Sequence, residues 1–415
     1  MSGSKADTSR RMVLGRYDYA AFQSFFSYAS GTVVLPVALV ALARDLGFDL
    51  EEGGMTEGGL LHFTRTFFVM ASMLFCGIAA GRWGKRRSMG VAVLLMGTGV
   101  LLCAWAPSYA VLLLALMVAG LGEGVLEGLA TPFVQDLHPD EPARYINLTH
   151  AFWPVGVLAT VLVSGGLLAL GVSWRLLVAG IALVAFVAAA LLLLPESKLR
   201  KYPEHPAPIH WKTIWGQARQ ILGIPRFWLF FCAMFLAGGG EFCLTFWSAS
   251  HIQLNFGASA WAGGIGTACF AGGMMSGRIG WGIMLKQHHL RQVVFWSALA
   301  GTLIALPIPQ LSNLWVLFGL LFMVGVATAP FWPTVQSYCA DRLPQADTTM
   351  LFVLLSCAGI PGCGFFTWLM GFIGNRTGDL ATAFYLVPAC FLALAIIIAF
   401  DGWRSAQTNP RREAS

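Results

Sequence analysis

Long apolar stretches, separated by glycine, proline or short groups of charges, dominate this 415-residue sequence. A helix that crosses the roughly 30 Å hydrocarbon core of a bilayer needs about 20 apolar residues in a row. Stretches of that length form a first set at 17–43, 56–82, 88–106, 109–137, 145–171 and 173–194. A second set lies at 226–254, 259–286, 290–308, 313–341, 346–374 and 380–402. The sequence therefore predicts an all-α polytopic membrane protein with twelve transmembrane helices.

The composition excludes most soluble alternatives. Hydrophobic residues make up 57% of the chain and charged residues 11%, against roughly 45–50% and 25% in soluble domains. A soluble enzyme this apolar could not cover its surface with polar side chains, and disordered and nucleic-acid-binding proteins are excluded with it. The nine cysteines form no C-x-x-C pair, so we expect neither a metal centre nor a disulfide framework. The polar segment Met1–Arg16 lacks an apolar core, which predicts no cleaved signal peptide.

Basic and acidic residues lie in different loops. The loops after the second and eighth stretches are basic, with Arg82, Lys85, Arg86, Arg87, Lys286 and Arg291. The first loop is acidic, with Asp45, Asp49, Glu51, Glu52 and Glu57. Because Lys and Arg accumulate in cytoplasmic loops, both termini are predicted to lie in the cytoplasm, with the chain in a plasma or inner membrane.

Two sequence echoes divide the chain into halves. The string G-x-x-x-G-R-x-G occurs at Gly77–Gly84 and at Gly273–Gly280, and Pro132-Phe-Val-Gln135 is echoed by Pro333-Thr-Val-Gln336. Each pair falls on corresponding stretches, which predicts two pseudo-symmetric six-helix bundles at 1–194 and 226–415. Between them, 195–225 is rich in proline and basic residues, and predicts a cytoplasmic linker with a short interfacial helix near Trp211 and Trp215. Many secondary transporters are built from such duplicated halves, with the solute held between them.

Twelve spans in two sets of six, with this motif near the second and eighth, resemble the major facilitator superfamily. The family motif has an aspartate where this chain has Gly81 and Gly277, whereas the following Arg82, Gly84 and Arg86 fit. The resemblance implies a cytoplasmic gating motif, which comprises Gly77, Arg82, Gly84, Arg86, Gly273 and Arg278.

A narrower resemblance covers Gly120 to Gly156. Its strings Gly-Leu-Gly, Glu127-x-x-x-x-Pro-Phe-Val and Asn147-Leu-x-His150-x-Phe-x-x-x-Gly are similar to spans 4 and 5 of the fucose–proton symporter family. In that family the span-4 glutamate is tied to proton coupling and sugar binding, and Glu127 occupies its position. His150 stands where the family has glutamine, and Thr32 stands where it has a span-1 aspartate. Without that aspartate, the resemblance implies that any proton coupling relies on Glu127 and its neighbours. His150 is predicted to relay protons or to form a hydrogen bond with the solute.

Three glutamates lie at membrane depth, where an ionisable side chain is costly and usually faces a cavity or a partner. Glu123 and Glu127 share a helix face four residues apart, and their mutual repulsion favours a proton on one of them. Glu241 follows the triple glycine 238–240 on the seventh span, with Thr245 on its face. We predict Glu127, Glu241 and Glu123 as proton-coupling groups. The alternative for Glu123 and Glu241 is a buried hydrogen-bond acceptor.

Aromatic and amide side chains complete the predicted solute site. An aromatic face can stack on the C–H face of a sugar, and an amide reaches hydroxyls as donor and acceptor. The alternative for most of the tryptophans is packing or an interfacial belt. Arg65, deep in the second span, predicts either a salt bridge to an acidic side chain or a bond to a solute carboxylate. The predicted solute-binding residues are Glu127, His150, Asn147, Trp153, Trp247, Trp332, Gln336, Trp368 and Arg65.

Together these observations predict a secondary active transporter of a sugar or similar polyhydroxylated solute, working by alternating access. H⁺ is the expected coupling ion, and Na⁺ is the alternative because carboxylates and hydroxyls also suit that ion. An organic-anion or drug carrier of the same fold, a uniporter and a solute sensor stay open. Since no H-E-x-x-H, G-x-S-x-G or Walker A string occurs, we expect no enzyme, catalytic residue, metal or other cofactor. The expected assembly is a monomer in the lipid bilayer that binds no nucleic acid.

Overall fold

The computed structural model describes residues 13–195, 201–203, 211–285 and 287–408, and within these ranges the chain forms helices and no strand. The first six helices are α1 (Arg16–Leu46), α2 (Met55–Trp83), α3 (Lys85–Ala104), α4 (Tyr109–Leu137), α5 (Pro142–Ala169) and α6 (Trp174–Leu193). A short helix, α7 (Trp211–Leu222), follows at the predicted interfacial position. The remaining helices are α8 (Pro225–Asn255), α9 (Ala260–Met284), α10 (Leu290–Ala305), α11 (Leu314–Thr328), α12 (Phe331–Arg342), α13 (Thr348–Thr377), α14 (Leu380–Ala383) and α15 (Leu386–Thr408). The linker prediction is only partly visible, since 196–200 and 204–210 lie outside the described residues.

The predicted fold class, an all-α polytopic membrane protein, is confirmed. Within the described ranges, 11 stretches of helix are long and apolar enough to cross a membrane. The stretch predicted at 259–286 corresponds to α9, whose 25 residues also suffice in length and which packs against α5 and α11. Its many glycines lower its mean hydropathy. When α9 is counted, the spans number about twelve.

Two predicted spans are interrupted. The stretch at 313–341 is divided into α11 and α12 at Ala329-Pro330, because proline donates no backbone hydrogen bond and its ring clashes with the preceding turn. The stretch at 380–402 is likewise divided, with a single helical turn in α14 before α15 begins at Leu386. Pro388 then lies in the first turn of α15, where a helix tolerates proline.

The two sets of helices meet at one end of the molecule. We call this the acidic end, because it carries the acidic loop between α1 and α2. There α2 packs against α13, α5 against α9 and α1 against α8. The Asn375 side chain of α13 accepts a hydrogen bond from the Met55 amide at 3.0 Å and donates to the Thr56 hydroxyl at 2.7 Å. On the other seam, a Cβ atom on Gly264 would collide with the carbonyl oxygen of Val161. The acidic end is therefore closed by contacts between the two sets.

The loop between α2 and α3 marks the opposite, basic end. Gly84 has a φ of 79°, a left-handed conformation that favours glycine, and it turns the chain from α2 into α3. Arg86 donates to the carbonyl oxygen of Leu192 at 2.5 Å, and the Lys85 ammonium lies 2.7 Å from the Asp136 carboxylate. Arg82 is exposed. The basic loop is thus anchored to α4 and α6 of its own helix set.

Candidate solute site between the two helix sets

A buried ion pair joins α2 to α4 within the first helix set. Arg65 Nε lies 2.7 Å from Glu123 Oε2, and Arg65 Nη2 lies 2.5 Å from Oε1. The same guanidinium donates to the Gly31 carbonyl oxygen at 2.7 Å and to the Thr32 hydroxyl at 3.1 Å. Only 4% of the Arg65 side chain and 1% of the Glu123 side chain are exposed. Of the two alternatives for Arg65, the structure therefore shows the salt bridge.

This pairing changes the role expected for Glu123. The sequence paired Glu123 with Glu127 as two neighbouring carboxylates, whereas the structure points Glu123 across to the Arg65 guanidinium. The hydroxyl of Thr32 stands where the resemblance would place a carboxylate, and it accepts a hydrogen bond from Arg65. Each partner offsets the cost of desolvating the other. Glu123 and Arg65 thus form a closed unit that spans α1, α2 and α4.

Glu127 lies one turn further along α4 and has a different environment. It is half-buried, and within the described part of the chain it makes no hydrogen bond or ion pair. The next residue on its face, Thr131, is exposed, and its hydroxyl lies 3.2 Å from Nε2 of His150 on α5. Gln135 and Asn147 are exposed beyond them. A polar stripe therefore runs from Glu127 toward the basic end.

A looser pair of charges occupies the second helix set. Glu241 on α8 is only 3% exposed, and its Oε1 lies 3.9 Å from Arg278 Nη2 on α9, which is too long for a hydrogen bond. Glu241 Oε2 and Arg278 Nε are both buried without a hydrogen-bond partner in the described ranges. The indole of Trp332 lies beside the Glu241 carboxylate. The repeat assigned Arg278 to a gating motif at the basic end, whereas the structure directs its guanidinium toward Glu241.

A narrow cavity lies where α5 of the first set faces α8 and α9 of the second. Its lining includes Trp153, Thr245, Thr267 and Arg278. Of the predicted site residues, Trp153 lines this cavity, Glu241 lies 3.9 Å from the lining residue Arg278, and His150 lies beside Thr131 on the polar stripe.

Two predicted tryptophans lie elsewhere. Trp247 is fully buried, and its indole donates to the Thr367 carbonyl oxygen at 2.9 Å. Trp368 stacks on Phe372, and its backbone packs against Gly59 of α2 at the acidic end. Packing, the alternative interpretation of the tryptophans, describes both side chains in this conformation. Gln336 is half-buried on α12 and lies 3.4 Å from the Ser356 hydroxyl.

Two residues of the site, Tyr28 and Thr267, were not predicted from the sequence. Tyr28 lies close enough to Glu127 and Glu123 to feel both charges, and Thr267 lines the cavity. Neither is charged, so neither stood out in an apolar stretch. Arg278 is charged and was predicted only as part of the gating motif. Its position inside the apolar stretch 259–286 was the signal that its side chain lies within the helix bundle. Within the described residues, no group of three His, Cys, Asp or Glu side chains is placed to hold a metal ion.

Curated relatives with sequence similarity are transporters. The chain is 31% identical over 137 residues to Probable polyol transporter 4 of Arabidopsis thaliana, a match that covers 30% of this chain and 25% of the relative. It is 26% identical over 204 residues to Plastidic glucose transporter 4 of the same plant, covering 47% and 36% of the two chains. The chain thus spans little more than a third, at most, of the curated relatives it matches.

Solved structures similar over nearly the whole chain are also transporters. The structure of the nucleoside transporter NupG gives a TM-score of 0.75 at 14% identity, covering 92% of this chain and 98% of that one. The D-xylose-proton symporter gives 0.72 at 13%, covering 92% and 96%. The E. coli fucose:proton symporter gives 0.63 at 18%, covering 92% and 98%. These likenesses confirm the fold, and none of these proteins is an enzyme by its description.

The match to a family extends over the first helix set and into the second. A sequence model of the Major Facilitator Superfamily matches residues 20–287, which include Arg65, Glu127, Glu241 and Arg278. The chain belongs to the Major Facilitator Superfamily.

Proposed function

We propose that this protein is a secondary active transporter that moves a sugar or similar polyhydroxylated solute by alternating access, with protons coupled through Glu127. The observation that carries the proposal is the contrast within α4. Glu123 has its charge balanced by Arg65, whereas Glu127 has no partner in the described ranges and faces the polar stripe between the helix sets. A carboxyl group so placed can exchange a proton with water on one side and interact with solute on the other.

The sugar-like solute is supported by the chemistry of the lining. Trp153 offers an aromatic face, and Thr245 and Thr267 offer hydroxyl oxygens, which together suit a ring with C–H faces and hydroxyls. Proteins with similar sequences include a polyol and a glucose transporter. Glu241 supplies a second buried carboxylate close to this lining, and we assign it to coupling or solute binding with Trp332.

The membrane orientation is part of the proposal. Basic side chains gather at one end and acidic side chains at the other, so the basic end faces the cytoplasm. The contacts between helix sets then close the outer side, and the polar stripe of α4 and α5 opens toward the cytoplasm. A green fluorescent protein fused after residue 415 should fluoresce in a bacterial inner membrane, because that protein matures in the cytoplasm. A dark fusion with a full-length chain would contradict this orientation.

Internal pH in proteoliposomes tests the coupling. The full-length protein is reconstituted, glucose, galactose, sorbitol and their acid counterparts are added in turn, and an enclosed dye reports acidification. We expect acidification with at least one solute, and its loss in Glu127→Gln while labelled solute still exchanges across the membrane. Glu52→Gln, an exposed carboxylate in the acidic loop, is the matched control and should behave as wild type.

The other outcomes separate the alternatives. Labelled solute that crosses only with a sodium gradient would replace the proton by Na⁺. Solute that crosses with neither ion would make the protein a uniporter. Solute that binds without crossing would indicate a sensor, and acidification unchanged in Glu127→Gln would remove Glu127 from coupling.

A further inference from the structure

We propose that Arg278 binds a carboxylate on the transported solute, so that the solute is a sugar acid or another hydroxylated carboxylate. This inference rests on the proposed function and narrows its substrate class. It depends on three features of the structure, which are the burial and pairing of Arg65, the incomplete bonding of Arg278, and the character of the cavity next to Arg278.

Arg65 is closed to a solute by its burial and by its pairing with Glu123. Its guanidinium bonds both oxygens of Glu123, the Gly31 carbonyl oxygen and the Thr32 hydroxyl, and 4% of the side chain is exposed. An anion that displaced Glu123 from this site would leave a buried carboxylate unpaired. The arginine that the sequence suggested for a solute carboxylate is thus occupied by the protein itself.

Arg278 differs in each of these respects. Its nearest carboxylate oxygen, on Glu241, lies 3.9 Å away, and its Nε is buried without a hydrogen-bond partner in the described ranges. The side chain is 36% exposed and lines the cavity between the helix sets. A guanidinium binds a carboxylate through two parallel hydrogen bonds, a geometry that Glu241 leaves unused at this distance. Arg278 is therefore a cation with donors to offer.

The cavity beside Arg278 is small, and its lining suits an acidic group. It has room for about one water molecule in this conformation, so a solute group can enter only as the two helix sets move apart, and its polar lining residues are Thr245, Thr267 and Arg278. Thr245 donates its hydroxyl hydrogen to the Glu241 carbonyl oxygen, and Thr267 donates to that of Gly263. Their oxygens can still accept hydrogen bonds from solute hydroxyls. A cation beside two hydroxyl acceptors matches a carboxylate flanked by hydroxyls.

Glu241 adds a link between this subsite and protons. As a carboxylate it competes with the solute for Arg278, since both anions would share one guanidinium. With a proton on Glu241 that competition ends, and the solute carboxylate has Arg278 to itself. Binding of the acid should therefore be accompanied by uptake of a proton that a neutral sugar of the same shape does not require.

Matched pairs of probes test the inference on the full-length protein. Glucose with glucuronate, galactose with galacturonate, and sorbitol with gluconate differ within each pair by a carboxylate. Dissociation constants come from ligand-dependent shifts in the Tm of the purified protein. In wild type we expect the acid of at least one pair to bind about 10- to 100-fold more tightly than its neutral partner, the range of a charge-assisted hydrogen bond.

Variants assign that preference to Arg278. Arg278→Gln should abolish the preference for the acid, and Arg278→Lys should restore part of it because the charge returns. Arg219→Gln, an exposed arginine on α7, is the control and should keep the wild-type preference. A wild type that prefers the neutral partner in every pair overturns the inference without needing any variant. So does an acid preference that survives in Arg278→Gln.

The two proposals fail in different ways. Proton-coupled movement of neutral sugars alone, lost in Glu127→Gln, would keep the proposed function and overturn the acid solute. Movement of acids that depends on Arg278 but not on a proton gradient would support the acid solute and overturn the coupling.

Discussion

The two helix sets each place an arginine against a glutamate at membrane depth, but they do so with different completeness. Arg65 and Glu123 are joined by two hydrogen bonds of 2.5 and 2.7 Å. Arg278 and Glu241 approach only to 3.9 Å and leave an atom of each without a partner in the described ranges. Burial of charge is similar for the two glutamates, so burial alone does not mark a functional group. We therefore base the proposed solute site on the unused hydrogen-bonding atoms of Arg278 and Glu241.

This difference in hydrogen bonding also implies that the two pairs contribute differently to the stability of the fold. A buried charge is tolerated when its partner and neighbouring dipoles replace the lost water. The Gly31 carbonyl and Thr32 hydroxyl complete that replacement around Arg65. The Arg278 side chain instead stays 36% exposed, so water still solvates part of its charge. We therefore expect the first pair to act on stability and the second on transport.

The largest effect should follow truncation of the first pair. Arg65→Ala leaves the Glu123 carboxylate buried without its partner and should cost about 3–5 kcal/mol of folding free energy. Thermal unfolding in detergent should therefore give Arg65→Ala a Tm far below that of the wild type. Arg44→Ala removes an arginine whose side chain is 56% exposed and is the control. Equal Tm losses in the two variants would remove the distinction between the buried pair and a surface pair.

A smaller loss should follow Arg65→Lys. The ammonium keeps the charge but cannot reproduce the planar fork that bonds both Glu123 oxygens, so we expect a loss of about 1–3 kcal/mol. Arg278→Lys should change the Tm much less, because Arg278 makes no such fork with Glu241. Measuring both Tm values in one detergent compares the two sites directly. A larger loss for Arg278→Lys would reverse the comparison.

Glu241→Gln should separate stability from transport. Because the contact with Arg278 is too long for a hydrogen bond, we expect a much smaller loss of stability than in Arg65→Ala. Solute-driven acidification in proteoliposomes should nevertheless fall well below wild type. Glu52→Gln again serves as the exposed control. Unchanged acidification in Glu241→Gln would confine coupling to Glu127.

The smallest effect should come from Arg82→Gln. Arg82 corresponds to Arg278 in the internal repeat but is exposed at the basic end, so its loss should change stability by no more than about 0.5 kcal/mol. Comparing the Tm of this variant with that of Arg278→Gln shows whether the position in the repeat or the local environment of the arginine determines the loss of stability. A lost preference for acidic solutes in Arg82→Gln would show that repeat position decides.

Much of this fold is predictable from the sequence, because hydrocarbon length and backbone hydrogen bonding restrict what can cross a bilayer. The runs of apolar residues predicted the spans to within a few residues at most ends. The division between α11 and α12 was missed although Pro330 is visible in the sequence. Pro36 and Pro132 lie inside helices that continue, so proline alone does not tell a break from a tolerated kink.

The site was predictable only as far as single residues carry a signal. Charge at membrane depth singled out Arg65, Glu127 and Glu241. The pairing of each arginine with a glutamate depends on which helices face each other, and those helices are far apart in sequence. The spacing of residues within one helix does not contain that information. Glu123 was accordingly grouped with Glu127, its neighbour on α4, when its partner lies on α2.

The glycines along the closed acidic end have a practical consequence. Gly264 faces the Val161 carbonyl on one seam, and Gly364 faces the Thr66 hydroxyl on the other, both so closely that a single added methyl group would not fit. An alanine at either position would push the two helix sets apart at this contact. Under the proposed alternating access, such variants should favour a conformation open at the acidic end, which would offer a genetic means of holding it for crystallisation.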